Sequence, residues 1–184
     1  MAHIVRVARL GARLASAHGI DPGAARTAGL LHDLARLFPA ERLLAESARR
    51  GLPVGPFERD HPIVLHAALG AELAREQFGI TDPDVLSAIR KHTVADAVMS
   101  PLDSVVYLAD GLEPGRDFPG RAELATLAFR DLDGALRGLL ASTLRYLAQR
   151  GLGVAPQTRA AARRYDVELP APSEPASAKE PCSA

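Results

Sequence analysis

The chain has 184 residues, enough for one domain with a substantial core and too few for two ordinary ones. Lys and Arg together number 22, as do Asp and Glu, so no overall positive field marks a nucleic acid as the main partner. Aromatic residues make up only 4% and Trp is absent, which argues against a base-stacking surface for single strands.

The opening MAHIVRVARLGARLASAHG predicts a helix over 3–18. Arginines spaced through it break any signal-peptide core, and no uninterrupted apolar run approaches membrane-spanning length. A cytoplasmic protein with no membrane partner is expected. Asp21-Pro22, Asp82-Pro83 and Ser100-Pro101 each put a capping side chain before a proline at the first helical position, where its missing N–H costs nothing. Helices are therefore predicted over 22–37, 83–92 and 101–111, and apolar periodicity adds 40–50, 62–78, 121–130, 132–150 and 157–165. Gly19, Gly51, Gly79, Gly111 and Gly151 follow periodic stretches and are read as helix-closing residues tolerant of positive φ. GLPVGPFERDHP and EPGRDFPG, rich in Pro, Gly and charge, read as loops of the kind that carry function. No strand and no internal repeat is evident, so the fold class is all-α. One domain over 1–165 is expected, followed by a disordered Pro/Ser/Ala-rich tail over 166–184. Cys182, the single cysteine, lies in that tail, which excludes a disulfide framework and thiolate metal ligation and points to a reducing compartment.

Within AGLLHDLARLF, His32 and Asp33 sit side by side in a leucine-rich run. On the predicted helix Leu30, Leu34 and Leu37 share one stripe, while His32 lies over Ala28 and Asp33 over Gly29, so small residues line the polar face and another helix could approach there. The plainer alternative is a surface pair of Asp33 with Arg36. Asp110 closes an apolar helix where the carbonyl end of the dipole disfavours a carboxylate, a preference that a bound cation would reverse. His92 could simply be favoured by its helix C-terminus, His66 is read as inward-facing, and His3 by position alone is a surface group. His18 and His61 have capping or loop explanations and are left outside the candidate site.

As an ordered set, His3, His32-Asp33, His66, His92 and Asp110 on consecutive helices resemble the HD-domain metal-dependent phosphohydrolase superfamily. GLLHDLARLFP with YLADGLEPGRDFPG is similar, more narrowly, to the YqeK-type symmetrical bis(5'-nucleosyl)-tetraphosphatases. The likeness covers about residues 3 to 160; EPGRDF is specific to that family, whereas HD alone is not. The resemblance implies an HD-domain helical bundle in which His3, His32, Asp33 and Asp110 bind a divalent metal, Fe(II) being favoured and Mn(II) the alternative. It implies that His66 and His92 face the substrate phosphates and act with Asp33 in catalysis, and that Arg116 contacts the nucleotide. The set is chemically coherent, because imidazole and carboxylate suit Fe(II) or Mn(II) and no sulfur is available.

The implied reaction is hydrolysis of diadenosine tetraphosphate to two ADP by a metal-activated water, with Arg116, and His66 and His92 where protonated, stabilising phosphoryl charge. The expected partner is a small-molecule dinucleoside polyphosphate, and a homodimer is left open. This sequence departs from the family pattern in three places. His3 almost opens the chain, the family's His-Thr-Thr-Gly is HTVAD here, and Ala155 stands where a histidine commonly precedes Pro-x-Thr. Three alternatives stay open: an HD-type enzyme for another nucleotide, a nucleotide-binding regulator without chemistry, and a helical interaction module.

Overall fold

The structure is a computed structural model that describes residues 2–169. Ten α-helices occupy it: α1 (Ala2–Ala17), α2 (Pro22–Leu31), α3 (Ala40–Arg49), α4 (Pro56–Asp60), α5 (Leu65–Phe78), α6 (Pro83–Lys91), α7 (Pro101–Leu112), α8 (Arg121–Leu127), α9 (Leu132–Gln149) and α10 (Pro156–Arg164). A single 3-10 turn, Pro62–Val64, leads into α5. No strand occurs among the described residues, as an all-α fold requires. No helix among them is long and apolar enough to cross a membrane.

The predicted caps form. Asp21 accepts from Gly23 N at 2.7 Å, Asp82 from Asp84 N at 2.9 Å, and Ser100 and Asp103 accept from each other's backbone N–H at 3.1 and 2.8 Å. Gly19, Gly51, Gly79 and Gly151 adopt positive φ, as their positions after helices suggested. Gly111 does not close a helix. It lies inside α7, where an added Cβ would meet Leu139 Cδ2 at 2.4 Å, so the bare α-carbon admits the α9 side chain. The stretch taken as one loop before His61 contains α4, a five-residue helix too short to show a period, started by Pro56 and by Glu58 accepting from Gly55 N at 2.9 Å.

The core lies where α1, α2, α5, α6, α7 and α9 meet, around Leu14, Ile89, Leu108, Leu112, Leu136 and Leu140. A smaller cluster of Leu43, Leu65, Leu69 and Leu73 joins α3 to α5. The approach expected over the small residues of α2 is made by α1: a Cβ at Gly29 would stand 2.8 Å from Ala8 Cα. That contact between backbones brings the first turn of α1 over the end of α2.

The helix predicted over 22–37 ends at Leu31 and continues as tight turns, with Leu34, Arg36 and Phe38 N–H groups bonded to the carbonyls three residues earlier. The cause is local, because the His32 ring takes the Gly29 carbonyl through Nδ1 at 2.8 Å, an acceptor that the helix would otherwise use. The leucine stripe is therefore broken: Leu30 is 41% and Leu37 95% exposed. At the other end, Val167 packs on the core and its N–H reaches Ala162 O at 2.8 Å. Residues 170–184, most of the expected tail and Cys182, lie outside the described residues.

Candidate metal centre

Four imidazoles from four helices point to one place, and each has its protonation fixed from behind. Nδ1 of His32, His66 and His92 is bonded to the carbonyl three residues earlier, Gly29, Ile63 and Ile89. A carbonyl only accepts, so each Nδ1 carries the proton and each Nε2 presents a lone pair. His3 uses a carboxylate instead, donating from Nδ1 to Glu113 Oε1 at 3.1 Å. In front, His3 Nε2 stands 3.3 Å from His32 Nε2, and His66 Nε2 stands 3.1 Å from His92 Nε2.

The two predicted aspartates complete the group. Asp110 Oδ1 lies 3.1 Å from His3 Nε2 and 3.8 Å from His32 Nε2. Asp33, in the turn after α2, divides its carboxylate: Oδ2 is 3.4 Å from His32 Nε2, and Oδ1 is 3.3 Å from His66 Nε2 and 3.7 Å from His92 Nε2. Its ion-pair partners among the described residues are these histidines and His3, whose Nε2 lies 3.8 Å from Oδ2, so the surface pairing with Arg36 is not adopted.

Such spacings fit a cation. Ligand atoms about 2.1 Å from a metal lie roughly 3 Å from one another, and donor atoms of His3, His32 and Asp110, or of His32, Asp33 and His92, all fall within 4.8 Å of one another. Facing lone pairs cannot hydrogen-bond to each other, so the set is satisfied only by protons or by a positive ion. Mixed imidazole and carboxylate ligands, with no thiolate, suit a divalent first-row metal.

The electrostatics agree. Burial would raise the Asp33 carboxyl, yet His32, His66 and His92 hold it far below the usual carboxylate range. For Asp110 burial is likewise outweighed, chiefly by His3. The hydrogen bond to Asp110 raises the His3 pKa, so the position filled by its Nε2 proton is one where a cation is favoured. For His92 burial above all, with His32 and His66 beside it, lowers the pKa, so a neutral ring faces the cleft.

Beside these groups lies a cavity of about 310 Å³ that Arg36, Ile63, Thr93 and Arg116 also line. Arg116 donates from Nε to Asp110 O at 3.0 Å and from Nη2 to Asp110 Oδ1 at 2.5 Å. Three further side chains were not singled out from sequence. Glu113 follows α7 directly and is buried among Arg6, Gly115 N and His3, which hold its carboxyl at about 2 against the upward push of burial. Its acid-Pro-Gly context at a helix end was the available signal. Thr93 Oγ1 stands 3.1 Å from His66 Nε2 and 2.9 Å from His92 Nε2, its signal being the threonine that HTVAD shares with the family's His-Thr-Thr-Gly, whereas Arg36 reads from sequence only as a surface partner of Asp33. His18, bonded to Ala128 O at 2.7 Å, and His61, stacked on Phe57 at 4.5 Å, lie outside the cluster.

The HD domain family matches residues 1–115 of the chain. The chain is 36% identical over 156 residues to the symmetrical bis(5'-nucleosyl)-tetraphosphatase of Bacillus subtilis (strain 168), covering 85% of this chain and 83% of that one. It is 35% identical over 158 residues to the protein of the same name from Halalkalibacterium halodurans, covering 86% and 84%. Its fold is similar to the crystal structure of a "predicted HD superfamily hydrolase involved in NAD metabolism" from Clostridium acetobutylicum, with a TM-score of 0.86, 34% identity, and 89% and 87% of the two chains covered.

Proposed function

The chain belongs to the HD domain family, and from that premise we propose that it is a metal-dependent symmetrical bis(5'-nucleosyl)-tetraphosphatase. Its reaction is hydrolysis of diadenosine tetraphosphate, and of related dinucleoside polyphosphates, to two nucleoside diphosphates. The observation that carries this reading is the convergence of His3, His32, Asp33 and Asp110 beside a cavity that also holds Arg36 and Arg116. The catalytic unit is residues 1–165 of a cytoplasmic enzyme, with neither a nucleic acid nor a membrane as partner; the zero formal charge supports a small-molecule substrate.

His3, His32, Asp33 and Asp110 hold the ion, Fe(II) by preference or Mn(II), as their mixed nitrogen and oxygen donors suit. A divalent ion bound there supplies the charge that makes a water acidic enough to attack at neutral pH. Asp33 has Oδ2 toward His32 and Oδ1 toward His66 and His92, which places its carboxylate to accept a hydrogen bond from the attacking water and orient it. The water oxygen bonds to one of the two inner phosphorus atoms, the central P–O bridge breaks, and the departing nucleoside diphosphate keeps the bridging oxygen.

Arg116 uses two of its five N–H groups on Asp110, which fixes the guanidinium plane and leaves three for phosphate oxygens. Arg36 adds a second cation at the cavity. His92 acts as a neutral ring, and with Nδ1 of both His66 and His92 held by backbone carbonyls their Nε2 atoms face the cleft beside Thr93. A nucleoside arm has a place to go, an apolar cavity of about 570 Å³ that shares Ile63 and Thr93 with the charged one and is walled by Phe57, Val94, Leu147 and Leu152.

The test is chromatography of the products formed from diadenosine tetraphosphate with Fe(II), Mn(II) or chelator. ADP alone, abolished by chelator, is the expected result. AMP plus ATP, or free phosphate released from mononucleotides in its place, would refute symmetrical cleavage.

A further inference from the structure

We propose that Glu113 is the positioning residue of this centre, holding the His3 ring so that its Nε2 faces the ion; this rests on the reading above that His3 is a metal ligand. Three of the clustered histidines are oriented by carbonyls three residues back on their own chain segment. His3 is different. Its Nδ1 donates to Glu113 Oε1 at 3.1 Å, across 110 positions of sequence, so the first turn of α1 is set by the end of α7. Glu113 is 2% exposed and its two oxygens take four donors: His3 Nδ1, Arg6 Nη2 at 3.1 Å, Arg6 Nε, and Gly115 N at 2.6 Å.

Arg6 lies one turn after His3, so one carboxylate grips the same helix at two successive turns. The closure depends on Gly115, where a Cβ would fall 2.2 Å from Arg6 Nη2 and 2.9 Å from Glu113 Oε1. With Nδ1–H committed to a carboxylate, the ring presents Nε2 as the ligand nitrogen and gains basicity. Such partners typically govern metal affinity by about 10–100-fold.

The experiment measures Mn(II) dissociation constants by equilibrium dialysis, with urea unfolding of the metal-free protein, for wild type, Glu113→Ala, Glu113→Gln and Arg6→Met, all as the full chain. Arg6→Met removes the ion pair while leaving Glu113 to His3, so it reports a purely structural role. Mn(II) binding is expected to weaken about 10–100-fold in Glu113→Ala, by less in Glu113→Gln, whose amide oxygen still accepts, and by under roughly threefold in Arg6→Met even if that variant is equally destabilised. Binding in Glu113→Ala within about threefold of wild type, or an equal loss in Arg6→Met, overturns the proposal. Should Glu113→Ala fail to fold, Glu113→Gln against Arg6→Met decides in the same way: weaker binding in Glu113→Gln supports it and equal binding overturns it. A wild-type chain that takes up no Mn(II) overturns the metal reading and this inference together, whereas normal wild-type uptake with unaffected variants overturns this inference alone.

Discussion

His66 and His92 face each other with Nε2 atoms 3.1 Å apart while both Nδ1 protons are given to backbone carbonyls. Two lone pairs at that distance repel unless a donor or cation stands between them, and Thr93 offers a single proton to the pair. His3 and His32, two of the proposed ligands, face each other in the same way at 3.3 Å, so divalent metal should stabilise the folded chain. At Mn(II) a hundredfold above its dissociation constant, the gain is about 2.7 kcal/mol, read as a shift of the urea midpoint that chelator reverses. An unmoved midpoint would leave the cluster without a cation to hold.

Asp33 touches both halves of the cluster, with His32 on one oxygen and His66 on the other. Asp33→Ala should lower turnover of diadenosine tetraphosphate by on the order of 10²–10³ or more, as loss of a group acting on the transition state does. Because Asp33 lies in the turn after α2, far-UV circular dichroism should hardly change. Retained activity in this variant would remove Asp33 from the site.

Gly29 is where α1 and α2 touch backbone to backbone, and a methyl there would stand 2.8 Å from Ala8 Cα. Gly29→Ala should destabilise the fold by about 1–3 kcal/mol, the usual cost of overpacking a rigid contact. It should also weaken metal uptake, since displacing α1 moves His3 away from His32. A variant of unchanged stability and Mn(II) affinity would show that the two helices separate without consequence for the site.

Much of this architecture is legible residue by residue. Asp21, Asp82 and Ser100 marked helix starts because a capping oxygen before proline acts within four residues, a range that local sequence contains. The site ligands were legible only as an ordered set: His3 and Asp110 are 3.1 Å apart in space, and nothing local to either says so. Glu113 and Thr93 escaped because their roles lie in what they touch, a histidine 110 residues away for one and two convergent rings for the other. The end of α2 was missed for a different reason. The leucine period runs on past residue 31, and it is the His32 ring, by taking the Gly29 carbonyl, that stops the helix.

Ala95 adopts φ of 57° and is buried, in the position where the resemblance places a glycine. A left-handed non-glycine residue costs roughly 1–2 kcal/mol, and burial of its methyl returns about 0.8 kcal/mol. Ala95→Gly should therefore be neutral to stabilising, by up to about 1 kcal/mol, with Mn(II) binding unchanged. Urea unfolding checks this, and a clear loss of stability would mean that the packing of the methyl outweighs the backbone conformation.

Tyr107, on α7 one turn before Asp110, is 5% exposed, and burial pushes its hydroxyl up to about 12. The ordinary value in an unfolded chain is about 10, so the fold favours the protonated phenol. That contribution is fully present below about pH 10 and is lost as pH rises through about 12. Two units correspond to on the order of 2–3 kcal/mol. Tyr107→Phe cannot ionise, so the stability difference between wild type and this variant should shift by about that amount, against wild type, between the two pH values. Other groups titrate alike in both proteins and cancel in the difference. A difference that is flat across that interval would show that the phenol ionises without opposing the fold.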